Sequence, residues 1–182
     1  MRIISGKFGG RRIHPPSDMP YTRPTTDIAK EGLFNILQNQ VDLENIKTLD
    51  LFGGTGAISY ELASRGAAEQ VIVEKDTKMA AFIKKNMDDL KVENYRLIKS
   101  DVFKFLEHCE DRFDFIFAGP PYALETIDDL PKIVVSKNLI APGGVFVLEH
   151  TPRNYYEEYP GYVKHRKYGT TIFTFFENIA DN

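Results

Sequence analysis

A chain of 182 residues with 42% hydrophobic and 27% charged residues, and every bulky apolar type except Trp, has the material for one self-sufficient core. Its single cysteine, Cys109, excludes an internal disulfide framework and fits a reducing compartment. No run approaches the roughly 20 apolar residues of a membrane span, and the basic start Met1-Arg2-Ile3-Ile4-Ser5-Gly6-Lys7 has no apolar stretch after it, so a cytoplasmic monomer without a signal peptide is expected.

Residues 1–14 hold Arg2, Lys7, Arg11 and Arg12 and no acid, a charge of +4 against −7 for the remainder. They read as a hairpin, with Arg2-Ile3-Ile4 and Arg11-Arg12-Ile13 as arms and Gly6, Gly9 and Gly10 in the turn. Pro15, Pro16 and Pro20 make the following linker non-helical. A helix begins after Arg23-Pro24, with Thr25 or Thr26 as N-cap and Asp27 in the positively polarised first turn. Its core face is marked by Ile28, Gly32, Leu33, Ile36, Leu37 and Val41, which recur at steps of three and four. One domain is expected, with a leader over 1–22 and a core over 23–182.

From Lys47 the pattern alternates. Strands are expected over 47–52, 70–74, 95–99, 113–118 and 144–149, and helices over 56–66, 76–90, 101–109 and 125–137. Asp76 and Asp101 suit the caps of their helices, and Ala141-Pro142-Gly143-Gly144 reads as the turn before the fifth strand. The segments 162–167 and 171–177 form an antiparallel hairpin around Tyr168-Gly169-Thr170. Lys164, Arg166 and Lys167, with His165, make a second basic patch, since 161–176 holds no acid. Two such patches on an acidic body serve equally as solvated hairpin faces or as the footprint of a polyanion. Strands as continuously apolar as Val71-Ile72-Val73 and Val145-Phe146-Val147-Leu148 need cover on both faces. The fold class is therefore α/β, a Rossmann-like, mostly parallel sheet with helices on both faces and a ligand crevice at the carboxyl ends of its strands.

The loop Phe52-Gly53-Gly54-Thr55-Gly56 at the end of the first strand narrows the ligand. Little side chain there lets a ligand approach the main chain near the positive end of a helix. A dinucleotide fingerprint would place a third glycine where Ser59 stands, no Walker lysine follows, and no cation lies nearby for phosphates. Asp50 would repel a pyrophosphate yet suits an α-ammonium, Glu74 at the tip of the second strand suits ribose hydroxyls, and Asp101, beside Val102, suits the adenine amine. Acids at three successive strand tips fit S-adenosylmethionine. The fourth strand ends in Gly119-Pro120-Pro121-Tyr122, whose prolines expose carbonyl acceptors and whose tyrosine offers a stacking plane for a flipped base. Acceptors aimed at an exocyclic amine localise its lone pair as the methyl arrives, so positioning and electrostatics carry the reaction. His14, His108, His150 and His165 show no ligand spacing, and no metal is expected; Tyr155, Tyr156 and Tyr159 suit core packing.

Asp50-Leu51-Phe52 with Gly54-Thr55-Gly56, then Glu74, Asp101 and Pro120-Pro121-Tyr122, resembles the amino-group methyltransferases of the class I fold. The leader Arg2-Ile3-Ile4-Ser5-Gly6-Lys7-Phe8, with Gly10-Arg11, Arg23-Pro24-Thr25-Thr26-Asp27, the stretch from Glu31 to Asn35 and Tyr168-Gly169-Thr170-Thr171, is similar to the bacterial small-subunit ribosomal RNA guanine-N2 methyltransferases. The resemblance implies a seven-stranded sheet with the last strand antiparallel between the fifth and its own hairpin partner. It implies that Thr25 and Thr26 cover the methionine end of the cofactor, and that Asp50, Phe52, Gly54, Gly56, Glu74, Asp101 and Val102 hold the rest. Gly119, Pro120, Pro121 and Tyr122 would form the catalytic loop. Arg2, Lys7, Arg11, Arg12 and Arg23 would hold phosphates of ribosomal RNA or of an assembling small subunit, with Lys164, Arg166 and Lys167 a second candidate. The family pattern has Asp or Asn where this chain has Gly119. By analogy with a missing oxyanion donor, one missing acceptor lowers the rate roughly 10²–10³-fold, unless another group such as Glu149 replaces it. Cofactor binding is expected in either case. The alternatives are a weakened cofactor- and RNA-binding ribosome-assembly protein, or a methyltransferase on another amino group.

Overall fold

The protein was analysed as a computed structural model that describes residues 1–19 and 25–179. Apolar runs and helical repeats alternate as expected. Helix α1 (Asp27–Leu37) precedes β1 (Lys47–Leu51), α2 (Ala57–Ser64), β2 (Glu69–Val73), α3 (Thr77–Asp89), β3 (Tyr95–Ile98) and α4 (Val102–His108). Strand β4 (Phe113–Ala118), α5 (Asp129–Ser136), β5 (Ile140–His150), β6 (Tyr162–Tyr168) and β7 (Thr171–Phe176) complete the chain. One seven-stranded sheet runs β3-β2-β1-β4-β5-β7-β6. Strands β1 to β5 pair in parallel, while β7 is antiparallel to both β5 and β6. Helices cover both faces: α1 and α2 pack on Phe115, Val147 and Phe173, and α4 and α5 pack on Leu49, Ile116 and Phe146. Among the described residues no helix is long and apolar enough to cross a membrane, and no group of three or more His, Cys, Asp or Glu is placed to hold a metal ion.

Several local expectations change. Strand β5 begins at Ile140 and runs through the Ala141-Pro142-Gly143-Gly144 segment instead of starting after it. Gly144 lies so close to β4 that a Cβ would stand 2.7 Å from the Asp114 carbonyl oxygen, and the pairing register shifts between Phe113 and Phe115. Helix α5 starts at Asp129, because the stretch from Leu124 is spent in successive turns such as the Asp129 N–H to Thr126 carbonyl bond. The buried face of α1 is Ala29, Leu33, Phe34 and Leu37, which turns Ile28 outward to 77% exposure. Tyr156 is buried as expected, but Tyr155 is 65% exposed.

The leader differs most. Its arms meet in one antiparallel bridge, Arg2 with Arg12, and not in a strand ladder. The arms exchange backbone bonds close to that bridge, Ile3 N–H to the Arg11 carbonyl (2.9 Å) and Ile13 N–H to the Met1 carbonyl (3.0 Å), and the donors that follow turn to α2. Ile4 and Ser5 donate their N–H groups to the Glu61 carboxylate on α2 (2.8 and 3.1 Å), and Lys7 and Phe8 donate theirs to the Ser64 carbonyl and hydroxyl (both 2.9 Å). Gly6 (φ 83) sits against Ser64 with no room for a Cβ, and Ile3 and Ile13 are buried with Tyr60, Ile83 and Met87. Helix α1 joins the same cluster through Lys30, only 1% exposed. Its ammonium stands 3.6 Å from Glu61 and donates to the Arg2 carbonyl at 2.6 Å. Burial lowers the Lys30 pKa, and the negative charge of Glu61 opposes that shift.

Removing one member of a buried ion pair leaves the other uncompensated. Glu61→Ala is expected to cost about 3–5 kcal/mol, measured by chemical denaturation, with the leader becoming the first segment cut in limited proteolysis.

Candidate active site

A cavity of about 840 Å³ opens along the carboxyl edge of the sheet. The tips of all five parallel strands reach it: Phe52 and Gly54 after β1, Glu74 after β2, Asp101 and Val102 after β3, Gly119 to Pro121 after β4, and Glu149 from β5.

One half of the cavity is built by the loop after β1. Phe52 and Gly54 both take left-handed backbone (φ 63 and 60), which turns the chain sharply out of the sheet. The Gly53 N–H donates to the Val73 carbonyl at 2.9 Å, and the Gly54 N–H donates to one oxygen of Glu74 at 2.8 Å. The other Glu74 oxygen accepts from the Asp76 N–H, also at 2.8 Å. Each oxygen has two lone pairs, so Glu74 can fix both loops and still receive hydroxyl donors. Asp101 caps α4 by accepting from the Phe103 and Lys104 N–H groups through a single oxygen (2.9 and 3.2 Å). Gly56 caps α2 and does not line the cavity. The aromatic ring of Tyr60 leaves it no space, since a Cβ would lie 2.4 Å from Cζ.

Asp50 departs from expectation. It lies within β1 at 2% exposure, does not line the cavity, and accepts from the Ser59 hydroxyl at 2.7 Å while its other oxygen has no partner. Burial raises its pKa well above the usual carboxylate range, and the nearby Glu74 charge adds to the rise. Asp50 is thus tied through one oxygen to α2 behind the loop.

The other half is formed by the tips of β4 and β5. Pro120 is buried, and Glu149 is 5% exposed. One Glu149 oxygen accepts from the Thr25 hydroxyl at 2.5 Å and the other from the Tyr122 hydroxyl at 3.1 Å. Tyr122 also lies 3.3 Å from the Thr171 hydroxyl at the start of β7. The tyrosine is thus anchored beside the cavity without lining it. Thr25 and Thr26 part company: Thr26 caps α1 by accepting from the Ala29 N–H at 3.2 Å, and Thr25 faces Glu149. A Cβ on Gly119 would stand 3.0 Å from the ring of Phe117 and 3.9 Å from a Glu149 oxygen, so the space of a side chain at 119 is bordered by an acid from the next strand.

The cationic candidates fall on two separate surfaces. Arg2, Lys7, Arg11 and Arg12 are exposed, with the Lys7 ammonium 5.1 Å and the Arg11 guanidinium 5.9 Å from the centre of the Phe8 ring. Arg23 lies outside the described residues. Arg166 and Lys167 are exposed on the edge strand β6, and Lys164 is half-buried against Phe175. Sequence reasoning missed Lys30, Glu61 and Thr171 as contributors. Thr171 stands at the end of the Tyr168-Gly169-Thr170-Thr171 motif, which was the available signal.

A left-handed glycine loop after β1, acids at the following strand tips, and an antiparallel β7 inserted between β5 and β6 define a class I, S-adenosylmethionine-dependent methyltransferase. A family profile described as "Conserved hypothetical protein 95" matches residues 1–177. The Escherichia coli K12 ribosomal RNA small subunit methyltransferase D is 30% identical over 154 residues, which cover 85% of this chain and 76% of that relative. Among solved structures, the Escherichia coli methyltransferase yhhF superposes with a TM-score of 0.84 at 26% identity, covering 98% of both chains. The Thermus thermophilus 16S rRNA N2 G1207 methyltransferase, solved with AdoMet and guanosine, gives 0.67 at 29% identity and covers 85% of this chain and 44% of its own. The chain belongs to the ribosomal RNA small subunit methyltransferase D family.

The crowding at position 119 has a pH signature. Gly119→Asp places a second carboxylate beside Glu149 and presses on Phe117, and like charges raise the pKa of the pair above the unfolded value of about 4. The variant should melt closest to wild type at or below that pH and fall further behind as pH rises through the raised folded value. Thermal melts across the acidic range check this.

Proposed function

We propose that this protein transfers the methyl group of S-adenosylmethionine to the exocyclic N2 amine of a guanine in small-subunit ribosomal RNA. The observation that carries the reading is one continuous cavity, with the Gly54, Glu74 and Asp101 wall at one end and Pro120 with Glu149 at the other. The first wall suits the cofactor. Glu74 accepts the ribose hydroxyls, Asp101 and Val102 border the adenine, Phe52 and Gly54 give it a close main-chain approach, and Thr25 closes the methionine end. Bound there, the cofactor supplies a methyl group activated on a sulfonium. The second wall holds the amine, with the Pro120 carbonyl and the Glu149 carboxylate as acceptors, and Tyr122 braces Glu149 from beside the cavity.

The exposed leader cations support an RNA phosphate track, and the β6 cations a second one. The Escherichia coli and Thermus thermophilus relatives, named for small-subunit and 16S ribosomal RNA, support the same substrate, and a cytoplasmic site of action follows from it. Gly119 motivates a second reading, a cofactor- and RNA-binding assembly protein with little catalysis. The two are separated by tritium transfer from the cofactor into small-subunit RNA or assembled subunits. Label mapped to a guanine is the expected result; no label in either, with an active relative as control, overturns the reading. In the same system Arg11→Ala with Arg12→Ala should weaken RNA binding and reduce the slope of log affinity against log salt by roughly 0.7–0.9 for each phosphate no longer neutralised.

The cofactor wall has its own test. Glu74→Gln keeps an acceptor for Gly54 but opposes the Asp76 N–H with another donor and removes charge from the ribose contact. Hydrogen bonds to a charged group contribute about 1.5–3 kcal/mol, so the cofactor dissociation constant should rise roughly 10- to 150-fold in calorimetry.

A further inference from the structure

We infer that Glu149 is the second amine acceptor of this enzyme, doing from β5 what a side chain at position 119 would do from β4, and that it selects guanine by accepting N1–H and N2–H together. The inference rests on the guanine reading above and deepens it.

Three observations place the group. Glu149 lines the cavity with Gly119 and Pro120, and its oxygen is 3.9 Å from where a Cβ at 119 would stand. It is 5% exposed, so a carboxylate here acts in a water-poor surrounding where a hydrogen bond to a ligand counts for more than in solvent. Its two oxygens are each held by a hydroxyl from a different direction, Thr25 at the start of α1 and Tyr122 after the prolines. Both are donors, and a carboxylate offers about four lone-pair sites. The two bonds therefore orient the acceptor before any base arrives, which is the condition for electrostatic catalysis without reorganisation.

The chemistry of the base edge supplies the selectivity. Guanine presents N1–H and N2–H side by side, two donors spaced for the two oxygens of one carboxylate. Adenine offers N6–H next to a bare N1, and cytosine offers N4–H next to a bare N3, so either would set a lone pair against an oxygen of Glu149. A carboxylate is acceptor-only when ionised, and such a mismatch leaves a buried charge facing a lone pair. With the Pro120 carbonyl taking the other N2–H, the amine nitrogen has both hydrogens engaged. Its lone pair bonds the methyl carbon as the pair of the breaking S–C bond returns to sulfur. The proton that N2 then sheds passes to Glu149 and on to solvent.

Glu149→Gln keeps size and replaces one acceptor oxygen by a donor. With the full-length variant and small-subunit substrate at saturating cofactor, single-turnover methyl transfer should fall roughly 10²–10³-fold, while calorimetric cofactor affinity and the melting temperature stay near wild type. The wild-type rate should decline on acidification, and E149Q should lack that limb. Adding Gly119→Asp to E149Q should restore part of the rate, an outcome a purely structural Glu149 would not give. At the mapped guanine, 2-aminopurine keeps the amine but lacks N1–H. Wild type should lose rate on it, and E149Q proportionately less. Undiminished transfer by E149Q overturns the inference, as does equal wild-type transfer to guanine and 2-aminopurine. Should E149Q fail to fold, a wild-type profile without an acid limb overturns it alone. Wild type that labels no guanine removes the underlying reading, whereas guanine label with full E149Q activity removes only Glu149.

Discussion

The fold hangs on a carboxylate at the back of the molecule. Glu61 is fully buried in the middle of α2, a place where a negative charge is tolerable only if several donors converge on it. They come from three segments: the leader through the Ile4 and Ser5 N–H groups, α1 through Lys30, and α2 itself through the Arg65 side chain at 2.9 Å. Lys30 in turn donates to the Arg2 carbonyl, so both charges satisfy main-chain polar groups of the leader. The tie reaches the active site. It anchors α1 through Lys30, and the residue just before that helix's Thr26 cap is Thr25, whose hydroxyl donates to Glu149.

The front edge of the sheet follows a different rule. Five strands run parallel, so their carboxyl ends all arrive at one side, and any polar residue in the first position after a strand is delivered to the same crevice. Glu74 uses that position twice over. Its two oxygens fix the loop after β1 and the turn into α3, so the cavity wall is braced by a group that itself lines the cavity. Asp101 combines the same two tasks, capping α4 while bordering the cavity.

What could be read from the sequence was whatever has a local cause. Asp76 and Asp101 cap helices because a short acid before a helical repeat has few other uses, and both caps are present. The apolar strands, the hairpin at the end and the glycine loop each carry their signal within a few residues. Long-range pairing carries none. Lys30 and Glu61 are ordinary charged residues of amphipathic helices until the two helices pack, and Ile28 fits a three-and-four repeat as well as Ala29 does. Asp50 shows the same limit: its acid reads as the end of the first strand, and the structure sets it within β1 with one oxygen taken by Ser59 of the next helix. The start of β5 misled because a Pro-Gly-Gly segment is a turn in isolation; here Gly143 keeps its left-handed backbone, but Ile140 pairs with Phe113 and Gly144 is pressed against β4, which makes the segment an irregular part of the strand.

Position 119 shows how far a single-residue departure can be judged from sequence alone. Against the family pattern, glycine there is a lost acceptor. In the structure it is also a space already spoken for, with the Phe117 ring on one side and Glu149 on the other. Phe117 is buried and tilted against Phe115 and Phe173, so an added Cβ would have to displace packed aromatic surface. The glycine, the phenylalanine two residues before it and the acid on the neighbouring strand are therefore one solution. Supplying the acceptor from β5 changes what the acceptor answers to. A side chain at 119 would be positioned by its own loop, whereas Glu149 is held by Thr25, and Thr25 by a helix whose Lys30 is bonded to the leader. The basic leader and the acid proposed as the amine acceptor are thus joined by hydrogen bonds and one helix.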